Sequence, residues 1–219
     1  MKSKIHRLSR LSGKHFKESI IKVGKKAKLI SAVLLIATLS ASAQKTKWSF
    51  DKSHSKVQFD ISHMVIAEVS GQFQDYSGTV LSDKDDFSDA KIDFSIDVKS
   101  IDTDDEKRDQ HLRSPDFFDA ANYAKITFKG KSMKKVGKNK YKLTGDFTLH
   151  GVTKTITLDV TYGGTVKDPW GNIKAGFKIT GVINRTDFGL KYNSIMDSGG
   201  LLIGEDVTIT CKVELIKKV

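Results

Sequence analysis

Val57-Gln-Phe-Asp-Ile-Ser-His63 alternates apolar and polar residues without a break until His63. A strand points successive side chains to opposite faces, so Val57, Phe59, Ile61 and His63 share one face and Gln58, Asp60 and Ser62 the other. The same alternation shows in Val207-Thr-Ile-Thr-Cys-Lys-Val-Glu-Leu215. Between these two stretches the period of two recurs in segment after segment. Val69, Gly71 and Phe73 continue it, and Tyr76, Gly78 and Val80 follow after a change of parity. Ile92, Phe94, Ile96 and Val98 come next, then Ile126 with Phe128, and Tyr141, Leu143, Phe147 and Leu149. Ile156, Leu158, Val160 and Tyr162 precede Ala175, Phe177, Ile179 and Ile183. About eight strands are expected, most of them eight to ten residues long. Each has one wet and one dry face, the pattern of an antiparallel sheet.

Turn residues separate the strands. Gly137-Lys-Asn-Lys140 and His150-Gly-Val-Thr153 are short enough for hairpins, and Gly163-Gly164 and Asp168-Pro-Trp-Gly-Asn172 mark further reversals. The loop Ser82–Ala90 is acidic and reads as exposed. One segment, Asp104–Arg113, lacks the period of two and carries acids at its start. It reads as a short helix capped by Thr103 or Asp104 and stopped by Ser114-Pro115.

Long antiparallel strands with one dry face form a sandwich or a closed barrel, and closure removes the exposed edges. Gly71, Gly78, Gly130, Gly145 and Gly181 all fall at inward parity inside strands. They mark bulges and tight bends, or they leave volume inside a barrel; both readings favour a curved barrel. An eight-stranded barrel is either filled by side chains or holds one small ligand.

Residues 1–43 are of a different kind. A Lys/Arg-rich lead runs into Leu29-Ile-Ser-Ala-Val-Leu-Leu-Ile-Ala-Thr-Leu-Ser-Ala-Ser-Ala43, a short apolar run ending in small residues. That is the pattern of a cleaved secretory signal, so residues 44–219 form the expected mature domain of 176 residues. The apolar run of 15 is shorter than the roughly 20 residues of a membrane span, and no stable span is expected after cleavage. The leader holds ten Lys/Arg and only Glu18 against them, so nine of the +11 charges leave with it. The remainder carries 27 basic and 25 acidic residues, and the argument for a nucleic-acid partner lapses. Cys211, the only cysteine, has no partner for a disulfide and reads as a buried small hydrophobe.

The search for chemistry is mostly negative. There is no Gly-x-Ser-x-Gly elbow, His-Glu-x-x-His, phosphate-cradling glycine loop or Cys-x-x-Cys. His54, His63, His111 and His150 lack metal-ligand spacing, so no metal and no cofactor is expected. His63 continues an inward face. It is either a core histidine bonded within the protein or a polar group at a barrel mouth. Arg108 and His111 lie three apart on one face of the predicted helix, His150 reads as a turn residue, and Arg185 with Asp187 could form a structural pair.

The chain resembles the YceI-like polyisoprenoid-binding proteins from Trp48 to Leu215. The resemblance rests on Asp51-Lys-Ser-His-Ser-Lys-Val-Gln-Phe59 with His63, Val69-Ser-Gly-Gln-Phe73 and Ser100-Ile-Asp-Thr103. It extends through Arg108-Asp-Gln-His-Leu-Arg-Ser-Pro-Asp-Phe-Phe-Asp119, Gly145–Lys154, Asn184-Arg-Thr-Asp-Phe-Gly189 and Gly204-Glu-Asp-Val207. The family usually has proline after Tyr123, where this chain has Ala124. The resemblance implies an all-β, about eight-stranded antiparallel lipocalin-like barrel with one short helix, exported to the periplasm. It implies a non-catalytic carrier with an isoprenoid, quinone-like or fatty lipid inside. Among the inward apolar residues, Phe59, Ile61, Phe73, Ile96, Phe128, Phe147, Leu158 and Phe177 are expected to hold the tail. His63, Arg108 and His111 are the candidates for the head, and a homodimer is admitted. The rival expectation is a hydrolytic enzyme acting on a lipid or lipid pyrophosphate, with His63, His111 and Asp109 as acid/base groups.

Overall fold

The computed structural model describes residues 45–195 and 201–218; the expected signal, residues 1–43, lies outside them. Eleven strand segments are present among the described residues. They are β1 (Lys47–Phe50), β2 (Lys56–His63), β3 (Ala67–Phe73), β4 (Tyr76–Leu81), β5 (Lys91–Asp97) and β6 (Ile101–Asp102), then β7 (Lys125–Gly137), β8 (Lys140–Leu149), β9 (Val152–Lys167), β10 (Ile173–Asn184) and β11 (Ile203–Lys217). One α-helix, α1 (Glu106–Arg113), lies between β6 and β7.

The first six segments are halves of three bent strands. β1 and β2 both pair with β11, Phe50 opposite Leu215 and Lys56 opposite Lys212, and a 3₁₀ turn at Lys52–His54 separates them. β3 pairs with β2 and β4 with β1, with only Gln74 and Asp75 between. β5 and β6 flank a second 3₁₀ turn, Val98–Ser100, and pair with β4 and β3. The result is eight antiparallel strands in meander order, closed where the first meets β11.

The first bend explains why Asp51-Lys-Ser-His-Ser55 departs from alternation. The Asp51 carboxylate caps the turn by accepting from Ser53 N–H. Ser55 is buried; its hydroxyl donates to the Glu214 carbonyl and accepts from Glu214 N–H, while Tyr76 Oη donates to the Ser55 carbonyl. The turn's backbone groups are thereby satisfied although they leave the ladder.

Several expectations change. β7, β9, β10 and β11 run 12 to 16 residues, longer than the alternation suggested. Val98 belongs to a turn, not a strand. Gly163 and Gly164 do not reverse the chain; they sit inside β9, where the register with β10 shifts beside Gly176. The helix is capped by Asp105, whose carboxylate accepts from Arg108 N–H; Thr103 and Asp104 precede it. Ser114 closes it as read. His150 and Gly151 form the β8–β9 turn with φ of 50° and 75°, the two positive values of a type I′ hairpin.

Alternation of direction sorts the connections to two ends. The β2–β3 turn, the β6–β7 segment with α1, the β8–β9 turn and the β10–β11 segment lie at one, called here the α1 end. The β4–β5, β7–β8 and β9–β10 connections lie at the far end. The acidity of the β4–β5 loop suggests exposure, yet Phe87 is 1% accessible and plugs the far end. Its ring packs on Trp48 and Phe177 at 4.9 Å and on Tyr162 at 5.8 Å. Asp89 gathers the loop around it, accepting from the Ser82 hydroxyl, the Asp83 and Lys84 amides and the Lys45 ammonium. Burial alone would raise this carboxyl, but those partners outweigh it and hold Asp89 well below the usual carboxylate range.

The inward glycines leave no free volume of their own. A Cβ at Gly71 would collide with the Phe59 ring, one at Gly145 with the Phe128 ring and the Lys129 carbonyl, and one at Gly181 with Leu158. They are floors on which neighbouring inward side chains lie. Gly130 fits the bulge reading, since the β7–β8 register shifts next to it.

Candidate functional site

The barrel encloses a cavity of about 580 Å³. Ile203 and Leu215 both lie on its wall. Between them β11 advances about 40 Å along the strand at roughly 3.3 Å per residue, or about 30 Å along an axis to which strands tilt by roughly 40°. The space is therefore elongated.

All eight residues expected to hold a tail, Phe59, Ile61, Phe73, Ile96, Phe128, Phe147, Leu158 and Phe177, lie on this wall. Accessibility shows that the interior is hollow. Ala175 and Leu215 are buried, whereas the equally inward Phe59, Ile61, Phe177, Val207, Ile209 and Val213 are only half-buried. They face space. Cys211 also faces the cavity; burial pushes its thiol up to about 12, so it is the small hydrophobe the sequence suggested.

The three head candidates lie on the same wall, and two further bases join them. The ionisable residues lining the cavity include His63, Lys107, Arg108, His111 and Arg185, with no aspartate or glutamate among the lining residues. Each is placed by the α1 end. His63 ends β2, and its ring takes no hydrogen bond from the described residues. Lys107, Arg108 and His111 project from α1, one turn apart, with Leu112 beside them. Arg108 donates through Nε to the Thr103 hydroxyl (2.8 Å) and through a terminal nitrogen to the Thr103 carbonyl (2.6 Å). No described carboxylate lies within 4.0 Å of its guanidinium. His111 bonds Asp116 at 3.1 Å and sits edge-on to Phe117 and Tyr192.

Arg185 has another task. It is 3% accessible and donates to the carbonyls of Gly204 (2.8 Å) and Leu190 (2.6 Å). The expected Arg185–Asp187 pair is absent: Asp187 pairs with Lys154 at 3.1 Å. Carbonyl oxygens leave no trace in a sequence, so nothing in the motif distinguished the two arrangements. Arg185 thus ties the β10–β11 connection to the barrel rim.

The acid/base set of the rival enzyme does not assemble on the wall. Asp109 is buried behind α1, where its carboxylate accepts from the Thr103 amide (3.0 Å) and hydroxyl (2.6 Å), and it does not line the cavity. A separate cluster brings Asp51, His54 and Glu214 within metal-ligating distance of one another. Lys174 already fills it, its ammonium 3.0 Å from Asp51 and 2.7 Å from Glu214. Burial would raise Asp51, but bonds from His54 and Lys174 bring it down to about 2.

Sequence reasoning missed Phe87, Lys107, Phe117, Phe118 and Tyr192 on the wall. They lie in the helix and loops, where no period of two points inward.

The chain matches the YceI-like domain family model over residues 48–215. A UPF0312 protein of Staphylococcus aureus is 37% identical over 170 residues, 77% of this chain and 96% of that protein. The crystal structure of the Campylobacter jejuni YceI protein is also 37% identical, with a TM-score of 0.62 over 77% of this chain and 96% of that one. Burkholderia cenocepacia BcnA gives 25% identity and a TM-score of 0.66, covering 75% and 98%. A polyisoprenoid binding domain from Saccharophagus degradans, 19% identical, shares the fold with a TM-score of 0.59 over 78% and 98%. A hollow eight-stranded meander, a basic α1 end and these matches lead to one assignment: this chain belongs to the YceI-like family.

Proposed function

We propose that the protein is an exported, non-catalytic carrier that holds one long-chain isoprenoid or similar lipid. The tail lies along the barrel and the polar head sits at the α1 end. The observation that carries this is the division of the cavity wall. It is apolar from Phe87 upward and turns basic, with no carboxylate among the lining residues, only at the α1 end. An apolar chain entering such a space gains about 0.8 kcal/mol per buried methylene. Ten methylenes correspond to about 8 kcal/mol before the cost of ordering the chain. His63, Lys107, Arg108 and His111 can then donate to a polar or anionic head. The likeness in fold to a polyisoprenoid binding domain supports the tail class. The leader Lys2–Ala43, with its Ala41-Ser42-Ala43 ending, supports export to the periplasm.

Native mass spectrometry of the protein purified from its own periplasm tests the reading. One added mass per chain, released by organic extraction and identified as a long-chain lipid, is the expected result. Protein without added mass that also fails to take up polyprenyl lipids in solution would contradict it.

A further inference from the structure

We infer that the α1 end is also a docking surface for an anionic lipid bilayer, which the protein touches mouth-first. The inference rests on the carrier reading for its purpose but on different atoms. Twelve large apolar side chains are exposed among the described residues, and eight of them lie in or within two residues of the connections at the α1 end. Three of the four most exposed, Val65, Ile66 and Ile195, belong to one rim, while the fourth, Trp170, stands at the far end. Val65 (74%) and Ile66 (85%) sit at the β2–β3 turn with Met64 beside them, and Ile195 (80%) and Leu201 lie in the β10–β11 segment. The two parts are joined: Met64 N–H donates to the Leu202 carbonyl, and Ile195 bridges Leu201. Leu202 in turn lines the cavity, so the apolar rim runs without interruption into the apolar interior.

The rim is held out against local preference. Met64 and Val65 have φ of 52° and 67°. A β-branched residue in that region is costly, and such strain persists where a function requires it. A monomer keeps large contiguous apolar patches off its surface unless they meet something.

Charge indicates what they meet. The turn Ser62–Ala67 and the described residues 190–195 and 201–204 contain no acid, while in sequence Glu68 and Glu205 follow these stretches and Asp197 lies between the latter two. Beside them stand Lys107 and Arg108 of α1, with no described carboxylate within 4.0 Å. The acids of α1 are otherwise engaged: Asp105 caps it, Asp109 holds Thr103 and Glu106 faces Arg113. An apolar rim beside Lys107 and Arg108, neither in an ion pair with a described carboxylate, matches an interface of acyl chains beneath anionic head groups.

The test compares the purified protein with Val65→Ser/Ile66→Ser and with Trp170→Ser, an exposed residue of the far end. Binding to sedimented phosphatidylglycerol/phosphatidylethanolamine vesicles is measured. So are uptake of a polyprenyl lipid from those vesicles and uptake of the same lipid added without vesicles. The rim variant should lose at least about tenfold in vesicle binding and in uptake from vesicles. Its uptake without vesicles and its melting temperature should be unchanged, and Trp170→Ser should match the parent throughout. If the rim variant misfolds, Ile195→Ser in the other part of the rim carries the same expectation with a smaller loss. Unaltered vesicle binding by a folded rim variant, loss on Trp170→Ser instead, or a parent protein that ignores vesicles would each overturn the inference. The last result would leave a protein partner as the occupant. A parent that binds vesicles but takes up lipid by neither route would contradict the carrier reading and leave the docking surface standing.

Discussion

The two ends of this barrel are built from the same alternating strands and end in opposite ways. At the far end an acidic loop folds inward around Asp89 and drives Phe87 into a nest of Trp48, Tyr162 and Phe177. At the α1 end bases of the helix and of β2 line the cavity and apolar side chains face solvent. One end uses its aromatic rings for closure; the other lines its part of the cavity with bases, of which His63 bonds no described protein group. The difference teaches that stability and recognition are separated along the axis. Changes at the far end should be felt in unfolding, and changes at the α1 end in what the protein holds.

The largest effect is expected from Phe87→Ala. It removes a fully buried ring from the plug and should lower unfolding stability by about 3–5 kcal/mol in urea titration. A loss below about 1 kcal/mol would mean that the far end is not closed by this residue. Next comes Gly145→Ala, which would press a Cβ against the Phe128 ring and the Lys129 carbonyl. A loss of about 1–3 kcal/mol is expected in the same titration. Gly176→Ala, with no atom within 4 Å of the added Cβ, should leave stability unchanged or slightly raised. Equal effects of the two would remove the glycines' role as floors for neighbouring rings.

At the other end the pattern should invert. His63→Ala removes a ring that bonds no described protein group, so the melting temperature should hold. Affinity for polar-headed lipids should fall by about tenfold to a hundredfold, the equivalent of one lost buried hydrogen bond at about 1–3 kcal/mol. Affinity for a pure hydrocarbon should not change. Equal losses for both ligands, measured by fluorescence competition, would take His63 out of head recognition.

That the eight residues expected to hold a tail and the three head candidates face one interior was legible from alternation and from the helix together. What alternation could not reveal is as instructive. The three bends that turn eight strands into eleven segments occur where side chains satisfy backbone groups, as at Ser55, and such bonds carry no period. Phe87 is one aromatic in an acidic run, and a residue at φ 57° cannot be read as inward from parity. Arg185 looked like half of an ion pair because Asp187 is near in sequence, whereas its partners are carbonyls that every residue owns. The inward glycines suggested empty volume because sequence shows what a glycine lacks, not which neighbour fills the gap.

The smallest predicted effect concerns pH and the bent first strand. Asp51 is held down to about 2, below its ordinary 3.8, so the ionised form stabilises the fold. That contribution is complete above about pH 5 and is lost as pH falls through 3.8 toward 2. Asp51→Asn should be less stable than the parent at neutral pH and converge on it near pH 2. A constant difference across that window would assign the bend to other groups.

The account's central claim is the direction of the lipid, and photo-crosslinking tests it most directly. A polyprenyl lipid with a diazirine at the tail tip is loaded, irradiated and located by peptide mapping. The account predicts adducts on the peptides that carry Phe87 and Phe177, at the plugged end. Adducts on α1 or on the outer wall, with those peptides unlabelled, would contradict it.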